Sequence, residues 1–476
     1  MAIVLTNTLS GKKEALRPRE AGHVRLYWCG VTVYSRTHIG HGRFLVVADT
    51  LVRYLRARGL KVTYVRNFTD IDDKMIRRAA DEGITVPQLA EREIAAFNED
   101  VRRLGCLQPT HEPRATEHIP LMLALVETLI AKGLAYAVAD GSVYFRVRRF
   151  PSYGKLSHRR LDDMEASEDP DPTKEDAHDF ALWKGAKPGE PTWDSPWGKG
   201  RPGWHLECSA MAVHYLGQPF DVHGGGSDLV FPHHENERAQ SEGAFGTALS
   251  DLWVHNGMIT FGADKMSKSL GNVLGIREAT ERVSGEALRL LFCGTHYRAP
   301  LDFSSGRLEE AARSLERLYE SLARADEALG AAPALLPDGA LTGSLSPVLG
   351  EFATAMDDDL NAAKALGLVY DRVRELNRAL DGGDRDTARA ARTDLRHVAA
   401  VLGILGQPPA EFLAATRAAG REKSGLSDAD IEAAIATRNE ARRRKDFREA
   451  DAIRIRLRDQ GILLEDTPSG TVWKAG

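Results

Sequence analysis

Two short segments of the sequence carry side chains suited to binding a nucleoside triphosphate. The first is His38-Ile39-Gly40-His41, placed between a predicted strand and a predicted helix. Free N–H groups at the start of a helix attract phosphate, and Gly40 would let an adenine ring approach the backbone closely. His38 and His41 could donate hydrogen bonds to phosphate oxygens as charge develops on them. Taken alone, the segment also fits a helix-capping turn with two surface histidines.

The second segment is residues 265–269, Lys-Met-Ser-Lys-Ser, followed by Leu-Gly-Asn at 270–272. Its two lysines, Lys265 and Lys268, lie on a glycine-flanked loop and could close over phosphates and stabilise a departing pyrophosphate. Taken alone, a basic surface loop is an equally good interpretation. The segment therefore supports a nucleotide site only in combination with the first one.

The elements around these segments predict a parallel nucleotide-binding sheet. Hydrophobic patterning indicates a strand at residues 23–29, a helix at 41–58 and a second strand at 61–67. Sheet-like sequence returns near Phe220 and again at 252–255. Because consecutive β-α-β elements form parallel sheets, we expect a Rossmann-type α/β fold with the first segment at its first β-α junction.

Together, the two segments resemble the signature pair of class I aminoacyl-tRNA synthetases. Longer stretches are similar to one family of that class, the cysteinyl-tRNA synthetases, at residues 28–34, 67–74, 203–210 and 220–237. The similarity covers nearly the whole chain, from about residue 26 to residue 474. The resemblance implies an enzyme that activates L-cysteine with Mg²⁺-ATP to cysteinyl-adenylate. It further implies transfer of the cysteinyl group to the 3′ terminal adenosine of tRNA(Cys).

This reaction needs no covalent nucleophile from the protein, since positioning and charge stabilisation are sufficient. The resemblance assigns that catalytic work to His38, His41, Lys265 and Lys268. It places His38, Gly40, His41 and Lys268 against ATP, and Lys268 is the residue that it implies most directly.

The same resemblance implies one Zn²⁺ per chain, held by Cys29, Cys208, His233 and Glu237. Two thiolates, an imidazole and a carboxylate suit a tetrahedral zinc ion, and positions 233 and 237 share one face of a helix. His234 is the competing ligand, and His233 is preferred for its register with Glu237. Taken singly, each cysteine also fits a small buried hydrophobic residue.

Zinc would explain how cysteine is separated from serine. A hydrophobic pocket gains only about 1–3 kcal/mol per small group, whereas a soft thiolate binds zinc far better than a hydroxyl does, so no editing domain is needed. By the resemblance, Trp204 and His223 line the substrate pocket and Asp228 binds the substrate amine. The three glycines at 224–226 would let the backbone approach the adenylate, although they also fit a flexible turn.

The C-terminal part of the sequence carries a local surplus of basic residues. Residues 438–459 hold nine Arg or Lys against five Asp or Glu, a pattern that fits phosphate contact and equally a solvated amphipathic helix. The resemblance implies anticodon contacts at Arg442, Asp451 and Asp466, since arginine can read a guanine edge and aspartate a cytosine amino group. Phe447 stands where some relatives carry Trp and could still stack on a base.

A chain of 476 residues is too long for one hydrophobic core, which predicts several domains. We expect, in order, a Rossmann-type catalytic domain at 1–115 and 200–260, a connective insertion at 116–199, the loop of the second segment with a stem-contact region at 261–305, a tRNA-binding helical bundle at 306–406, and a small α+β anticodon-binding domain at 407–476.

Finer expectations concern the insertion and the last domain. The insertion predicts a helix at 119–132, a strand at 143–147 and an acidic surface loop at 162–176. The last domain predicts a Pro/Gly/Ser-bearing linker at 407–425, a basic helix at 428–460 and strands at 462–464 and 471–473.

The composition argues against other classes of protein. No apolar run reaches the roughly 18 residues of a membrane span, and the N-terminus lacks a signal-peptide pattern, so we expect a cytoplasmic protein with no membrane partner. The four cysteines are too few for a disulfide framework. The net charge of −5 does not indicate a nucleic-acid partner, so tRNA binding would depend on local basic patches. We see no dimerisation signal and expect a monomer.

Two other interpretations share some of these features. A ligase that joins cysteine to an amino-sugar inositol in mycothiol synthesis would share the zinc and ATP sites, but it would not need the C-terminal region that runs through Trp473. A non-enzymatic zinc- or tRNA-binding module would be expected to have replaced His38 or Lys268, and both are present. The sequence therefore favours a cysteine–tRNA ligase.

Overall fold

The computed structural model describes residues 2–164, 171–261, 264–265, 274–332, 335–467 and 470–475. The chain divides into two compact units. The first unit falls within Met1–Arg313, Leu335–Arg374 and Thr393–Ile404, and the second within Ser314–Ala334, Glu375–Arg392 and Leu405–Gly476. Across the described ranges, we find no helix with the length and apolar character needed to cross a bilayer.

The N-terminal part of the first unit contains strands and helices in the following order: β1 (Val4–Asn7), β2 (Lys12–Ala15), β3 (His23–Thr32), α1 (Ile39–Ala57), β4 (Lys61–Thr69), α2 (Asp73–Glu82) and α3 (Val86–Arg103). The predicted β-α-β order is confirmed as β3, α1 and β4. The antiparallel hairpin of β1 and β2 precedes it and was not predicted.

The chain then continues through α4 (Ile119–Ala131), β5 (Ala135–Ala137), β6 (Val143–Phe145), β7 (Phe180–Gly185) and β8 (Gly200–Pro202). These four strands form an antiparallel sheet in the order β5-β6-β7-β8. The predicted helix and strand of the insertion correspond to α4 and β6. Of the predicted acidic loop, Glu165, Glu168 and Asp169 lie outside the described residues, and Asp171 accepts a hydrogen bond from the Tyr144 hydroxyl at 2.8 Å.

The following segment of the first unit contains α5 (Trp204–Leu216), β9 (Phe220–Gly226), α6 (Glu235–Phe245), β10 (Ser250–Asn256), β11 (Ile259–Phe261), β12 (Asp264–Lys265), α7 (Ile276–Arg282), α8 (Gly285–Cys293) and β13 (Leu301–Asp302). A four-stranded parallel sheet, in the order β10-β9-β3-β4, lies at its centre. A smaller sheet has the order β12-β11-β13.

The central sheet is covered by helices, so its strands are buried on both faces. β9 is buried from Phe220 to Gly225, and α1 is buried on nearly every side. Strands of this kind have continuous apolar runs rather than an alternating pattern. The Rossmann-type α/β class predicted from the sequence is therefore confirmed for this sheet.

The remaining elements are mostly helical: α9 (Ser305–Leu329), α10 (Pro347–Asp357), α11 (Ala362–Asp381), α12 (Arg385–Leu402), α13 (Pro409–Ser424), α14 (Asp428–Arg443) and α15 (Phe447–Asp459), followed by the antiparallel strands β14 (Ile462–Thr467) and β15 (Gly470–Ala475). The helical content predicted for residues 306–406 is observed as α9, α10, α11 and α12. The small α+β arrangement predicted at the C-terminus is also observed.

The linker predicted at 407–425 is wrong, because most of that segment is the helix α13. Pro409 occupies the first turn and Gly425 ends the helix in the left-handed conformation, with φ of 68°. Proline at the start and glycine just after the end are helix-boundary signals, and they were interpreted as linker residues. In the second unit the Phe412 ring stacks on Tyr319, with ring centroids 3.8 Å apart, which gives α13 an apolar face to bury.

The single basic helix predicted at 428–460 is also wrong, because it consists of α14 and α15. The break is at Lys445, which has a left-handed φ of 61°, and Asp446 caps α15 by accepting a hydrogen bond from the Glu449 N–H at 3.0 Å. The turn lets the two helices bury one shared apolar cluster, which includes Ile435 and Ile453. A continuous helix could not bring these two side chains together.

Candidate functional site

Four side chains from separate elements meet in the interior of the first unit. They are Cys29 on β3, Cys208 on α5, His233 in the turn before α6, and Glu237 in the first turn of α6. All four are buried, and one donor atom from each lies within 4.8 Å of the others. The chain thus brings together the four residues that the sequence analysis named as zinc ligands. Two sulfurs, one imidazole nitrogen and one carboxylate oxygen form a donor set that suits a tetrahedral zinc ion.

Local backbone features direct Cys29 towards this cluster. The register between β3 and β4 is irregular between Trp28 and Val31, next to Gly30. A Cβ atom on Gly30 would lie 1.7 Å from the Asn67 carbonyl oxygen, so only glycine fits here. The Asn67 side-chain oxygen accepts a hydrogen bond from the Gly30 N–H at 2.9 Å. This close approach of β3 and β4 sets the position of the Cys29 thiol.

The Glu237 carboxylate is the central acceptor of the cluster. Its Oε1 lies 2.9 Å from His233 Nε2 and accepts from the Cys29 thiol at 3.4 Å. Its Oε2 lies 2.8 Å from His223 Nε2. Burial alone would raise the pKa of Glu237, but His223 and His233 lower it well below its usual value. The group is therefore a carboxylate, which is the form that a metal requires.

The two cysteines differ in their acidity. Burial raises the pKa of Cys29 well above the usual value of a thiol. Burial acts in the same direction on Cys208, but the Cys29 thiol and His233 outweigh it and lower its pKa to about 6. Burial would lower the pKa of His233, but Glu237 and Cys208 raise it to about 10. A metal ion binds cysteine as the thiolate and histidine as the neutral imidazole, so zinc binding here would release the protons of Cys29 and His233.

His234, the competing ligand, belongs to a second overlapping group with Cys29, His223 and Glu237 that also lies within 4.8 Å. Its Nδ1 atom is 2.7 Å from His255 Nε2, and its Nε2 atom is 3.9 Å from Glu237 Oε1. The corresponding His233 distance is 2.9 Å. The geometry around Glu237 therefore favours His233.

Several neighbours of the cluster were missed in the sequence analysis. His205 Nδ1 lies 3.0 Å from His233 Nδ1, and Asn67 Oδ1 lies 3.7 Å from the Cys208 sulfur. A group that hydrogen-bonds to a metal-ligating side chain fixes the orientation of that side chain towards the metal. The position of His205, three residues before Cys208 on α5, was the available signal, since it is almost one helical turn away.

The predicted substrate-pocket residues occupy three different environments. The Trp204 ring stacks on His233, with centroids 4.5 Å apart, at the edge of the metal cluster. His223 has no exposed surface and stacks on Trp253 at 4.4 Å. Asp228 is exposed in a short turn after β9. Their roles in binding the substrate stay predictions.

The first of the three glycines after Phe220 has a packing reason that was not foreseen. Gly224 lies opposite Trp28 in the sheet, and a Cβ atom there would lie 2.2 Å from the Trp28 ring. The indole occupies the space that a side chain at position 224 would need. The predicted approach of adenylate to this backbone stays a prediction.

His38 and His41 lie at the N-terminus of α1, with Gly40 in the same first turn. The His38 N–H donates to His41 Nδ1 at 3.2 Å, and the two rings stack with centroids 3.8 Å apart. The helix start therefore presents two adjacent imidazoles, whose ring nitrogens can donate hydrogen bonds to an anion.

The chain is described up to Lys265, at the start of the second lysine-bearing segment, and again from Leu274, after that segment. The backbone of Lys265 ends β12 and pairs with Thr260, whereas Lys268 lies outside the described residues. Where the description resumes, the Leu274 carbonyl accepts a hydrogen bond from the Ile39 N–H at 3.0 Å. The two motifs are far apart in sequence, and this contact joins the first residue of α1 to the chain just after the second motif.

The predicted anticodon residues lie in the second unit. Arg442 Nη1 is 2.5 Å from Asp466 Oδ2, and Arg438 donates to both oxygens of the same carboxylate at 2.8 and 2.9 Å. The hydrogen bond from Arg438 lowers the pKa of Asp466 below its usual range. Phe447 is 62% exposed at the start of α15, and Asp451 is exposed one turn later.

Arg438 was counted in the sequence analysis only as one basic residue among nine. Its position one helical turn before Arg442 was the signal that both could reach one acceptor.

Comparison with known proteins gives three family matches along the chain. Residues 15–313 match the family described as tRNA synthetases class I (C) catalytic domain, residues 351–406 match the DALR domain, and residues 425–473 match the cysteinyl-tRNA ligase anticodon binding domain.

Similarity to individual proteins extends over the full length. The chain is 50% identical over 486 residues to the cysteine–tRNA ligase of Geobacter sulfurreducens and 51% identical over 486 residues to that of Trichlorobacter lovleyi, and each alignment covers 100% of both chains. It also resembles the solved Mycobacterium tuberculosis methionyl-tRNA synthetase in complex with methionyl-adenylate. That likeness has a TM-score of 0.57 and 15% identity and covers 86% of this chain and 96% of the other, and it concerns the fold alone.

Proposed function

This chain belongs to the cysteine–tRNA ligase family, and on that premise we propose that Cys29, Cys208, His233 and Glu237 hold one zinc ion that selects cysteine. The observation that carries the proposal is the convergence of these four buried donors to within 4.8 Å. Zinc supplies, when bound, a soft Lewis acid that prefers a thiolate to the hydroxyl of serine.

The reaction is the ATP-dependent, AMP-forming ligation of cysteine to tRNA(Cys). The carboxylate of L-cysteine attacks the α-phosphorus of ATP, which enters with Mg²⁺, and pyrophosphate leaves. The 3′ terminal adenosine of the tRNA then attacks the activated carbonyl, and AMP leaves. The protein contributes positioning and charge stabilisation to both steps.

The chain's own residues would keep the metal site in one arrangement. His223 and His205 contact Glu237 and His233 at 2.8 and 3.0 Å, so each holds the orientation of a donor. The Trp204 ring covers His233 and would shield the substrate side chain from water. Asp228 is the remaining candidate for the substrate amine.

The nucleotide site is proposed at the N-terminus of α1. His38 and His41 would face the phosphates, the Gly40 backbone would lie against the adenine, and Lys265 and Lys268 would stabilise the departing pyrophosphate. Support comes from the Leu274–Ile39 hydrogen bond, which joins the chain just after the second motif to the helix that carries the first.

The anticodon site is proposed around Asp466. Arg438 already holds both oxygens of this carboxylate, so Arg442 could turn to a guanine edge while Asp466 stays fixed. Phe447 offers an exposed ring for stacking, and Asp451 lies on the same helix.

The alternative ligase of mycothiol synthesis is not favoured. The match of residues 425–473 to an anticodon binding domain and the full-length matches to cysteine–tRNA ligases both support tRNA as the acceptor. The same matches argue against a non-enzymatic module. A cytoplasmic location is part of this proposal, since translation takes place in the cytoplasm. A monomeric state is also part of it, since we see no dimerisation signal in the sequence.

The metal assignment is tested by measuring zinc per chain in purified wild type, Cys208→Ser and Cys106→Ser. Cys106 is a matched control, because it is also a buried free cysteine but lies outside the cluster. We expect one zinc in the wild type and in Cys106→Ser, and a large loss in Cys208→Ser. Equal zinc content in all three proteins would overturn the assignment.

A further inference from the structure

Arg43, on α1, is a completely buried arginine that plays no part in the sites described above. Across the described ranges, no carboxylate lies within ion-pair distance of its guanidinium, and burial lowers its pKa to about 10. A buried cation without a countercharge is strongly unfavourable unless other groups replace its water. The presence of Arg43 here therefore requires specific acceptors.

Those acceptors are five backbone carbonyls in two groups. Nη1 donates to Gly257 and Met258 at 2.9 and 2.8 Å. Nη2 lies 2.6 to 3.3 Å from the oxygens of His296, Tyr297 and Ala299. The planar fork of one guanidinium thus bridges two chain segments.

Each bridged segment leads directly into a strand of the small sheet. Residues 257–258 precede β11, and residues 296–299 precede β13, which pairs with β11. The third strand, β12, pairs with β11 and ends at Lys265. The two segments also touch without intervening side chains, because a Cβ atom on Gly257 would lie 2.5 Å from the Ala299 oxygen. Arg43 therefore fixes the base of the sheet that carries Lys265.

The same helix also contacts the chain beyond that sheet. The Ile39 N–H donates to the Leu274 carbonyl at 3.0 Å, and the carbonyl of Thr37, just before the helix, accepts from the Ile276 N–H at 3.3 Å. Arg43 lies two residues after His41 on this helix. The first two turns of α1 therefore contact the chain on both sides of the second lysine motif.

We propose that Arg43 is a positioning residue for adenylate formation. Its guanidinium holds the β11–β12–β13 sheet, and with it Lys265, in a fixed position relative to His38 and His41. The inference rests on the proposed nucleotide site at the start of α1. A lysine could not replace this arginine, because one ammonium cannot bridge both groups of carbonyls.

The test is cysteine-dependent ATP–pyrophosphate exchange in wild type, Arg43→Lys, Arg43→Ala and Arg289→Lys. Arg289 is a matched control on α8. It is also completely buried, but it pairs with Asp49 at 2.6 Å, and its carbonyl acceptors are Leu104 and Leu402, which lie outside the small sheet. Thermal unfolding is measured for every variant, and added methylguanidinium is tested as a rescue of Arg43→Ala.

We expect Arg43→Lys to lower kcat about 100-fold and to raise the KM for ATP, as misplacement by about 1 Å can do, while the KM for cysteine changes by less than about twofold. Arg289→Lys should lower the unfolding temperature but keep kcat near the wild-type value at low temperature. Methylguanidinium should restore part of the kcat of Arg43→Ala. If that variant does not fold, Arg43→Lys decides alone.

Wild-type kcat in folded Arg43→Lys would overturn the inference, and so would an equal loss of kcat in Arg289→Lys. A rise in the KM for cysteine that matches the fall in kcat would also overturn it. Failure of the proposed nucleotide site looks different: His38→Ala and His41→Ala would then exchange pyrophosphate at the wild-type rate. Such a result leaves no site for Arg43 to position.

Discussion

The Nε2 atom of His223 lies 2.8 Å from Oε2 of Glu237, and neither side chain has any exposed surface. The other oxygen of this carboxylate contacts His233 and the Cys29 thiol. One carboxylate therefore joins a residue of the central sheet to the proposed zinc ligands. Because His223 holds Oε2, it also sets the direction of Oε1, which contacts His233.

Replacement of His223 by alanine should weaken zinc binding by about 10- to 100-fold, because an unsupported carboxylate ligand loses its orientation. Competition with a chromogenic chelator measures this affinity. His397→Ala is the control, since that histidine lies on α12 and hydrogen-bonds to the Thr393 carbonyl of its own helix. Unchanged zinc affinity with a raised KM for cysteine would instead support the pocket role expected from the sequence.

Gly224→Ala should lower the free energy of unfolding by about 1–3 kcal/mol, the usual cost of overpacking a core. The new methyl group would lie 2.2 Å from the Trp28 ring. Gly224→Ala should cost less free energy of unfolding in a Trp28→Val background than in the wild type, because the smaller side chain leaves room for the methyl group. A double-mutant cycle measures this difference.

Gly367→Ala is the control for this pair. Gly367 lies within α11, and a methyl group added there would meet no described atom within 4 Å beyond its own helix. Alanine should therefore be neutral or stabilising by up to about 1 kcal/mol. Equal destabilisation by both substitutions would show that close packing against Trp28 is not the cause.

The convergence of the four proposed zinc ligands could be predicted because long motifs surround each of them, although the four residues are far apart in sequence. The residues that contact these proposed ligands were not predicted. His205 was signalled only by its spacing from Cys208 on α5, and Asn67 lies near the Cys208 sulfur through a contact between β4 and α5 that no sequence spacing reports. The packing of Gly224 against Trp28 could not be predicted either, because the two residues become adjacent only through the pairing of β3 with β9.

Element types were predicted better than their ends. The β3-α1-β4 order follows from apolar periodicity and was predicted correctly. The α13 helix was missed because Pro409 and Gly425 mark both linkers and helix boundaries, and only burial of Phe412 against Tyr319 separates the two. The break at Lys445 was missed because the charged pattern continues across it.

Asp49→Asn should lower the free energy of unfolding at neutral pH by about 3 kcal/mol, because it leaves the buried Arg289 and the partly buried Arg53 without their carboxylate partner. Asp49 is 2% exposed and lies 2.7 and 2.6 Å from Arg53 and Arg289. Burial would raise the pKa of Asp49, but Arg289 and Arg53 lower it below the usual value of 3.8.

The sign of the pH dependence follows from that lowered pKa. The stabilisation of the folded state by ionised Asp49 is complete at pH values above its usual pKa of 3.8. It is lost as the pH falls through the lower pKa of Asp49 in the folded state. The stability difference between wild type and Asp49→Asn, measured by urea unfolding, should therefore stay constant from about pH 7 to about pH 5 and shrink below about pH 4. Asp81→Asn, at an exposed position, is the control and should leave the free energy of unfolding at neutral pH nearly unchanged. A wild-type advantage that grows on acidification would contradict this assignment.

Arg442→Ala should raise the KM for tRNA(Cys) by about 10- to 100-fold, the value of one base-specific arginine contact. Pyrophosphate exchange should be unchanged, because adenylate formation does not involve the anticodon. Arg443→Ala is the control, since this neighbouring side chain is 75% exposed and pairs with Glu440. If both substitutions raise the KM equally, Arg442 contributes only general charge.

The central claim is most directly tested by charging a tRNA transcript. Purified protein is incubated with ATP, Mg²⁺ and labelled cysteine, and acid-precipitable label is counted on a transcript with the cysteine anticodon. Labelled serine and a transcript with another anticodon are the controls. We predict label from cysteine only, on the cysteine transcript only, and its loss when zinc is stripped. Cysteine-dependent pyrophosphate exchange without any charged tRNA would contradict the claim and make a small-molecule acceptor the leading alternative.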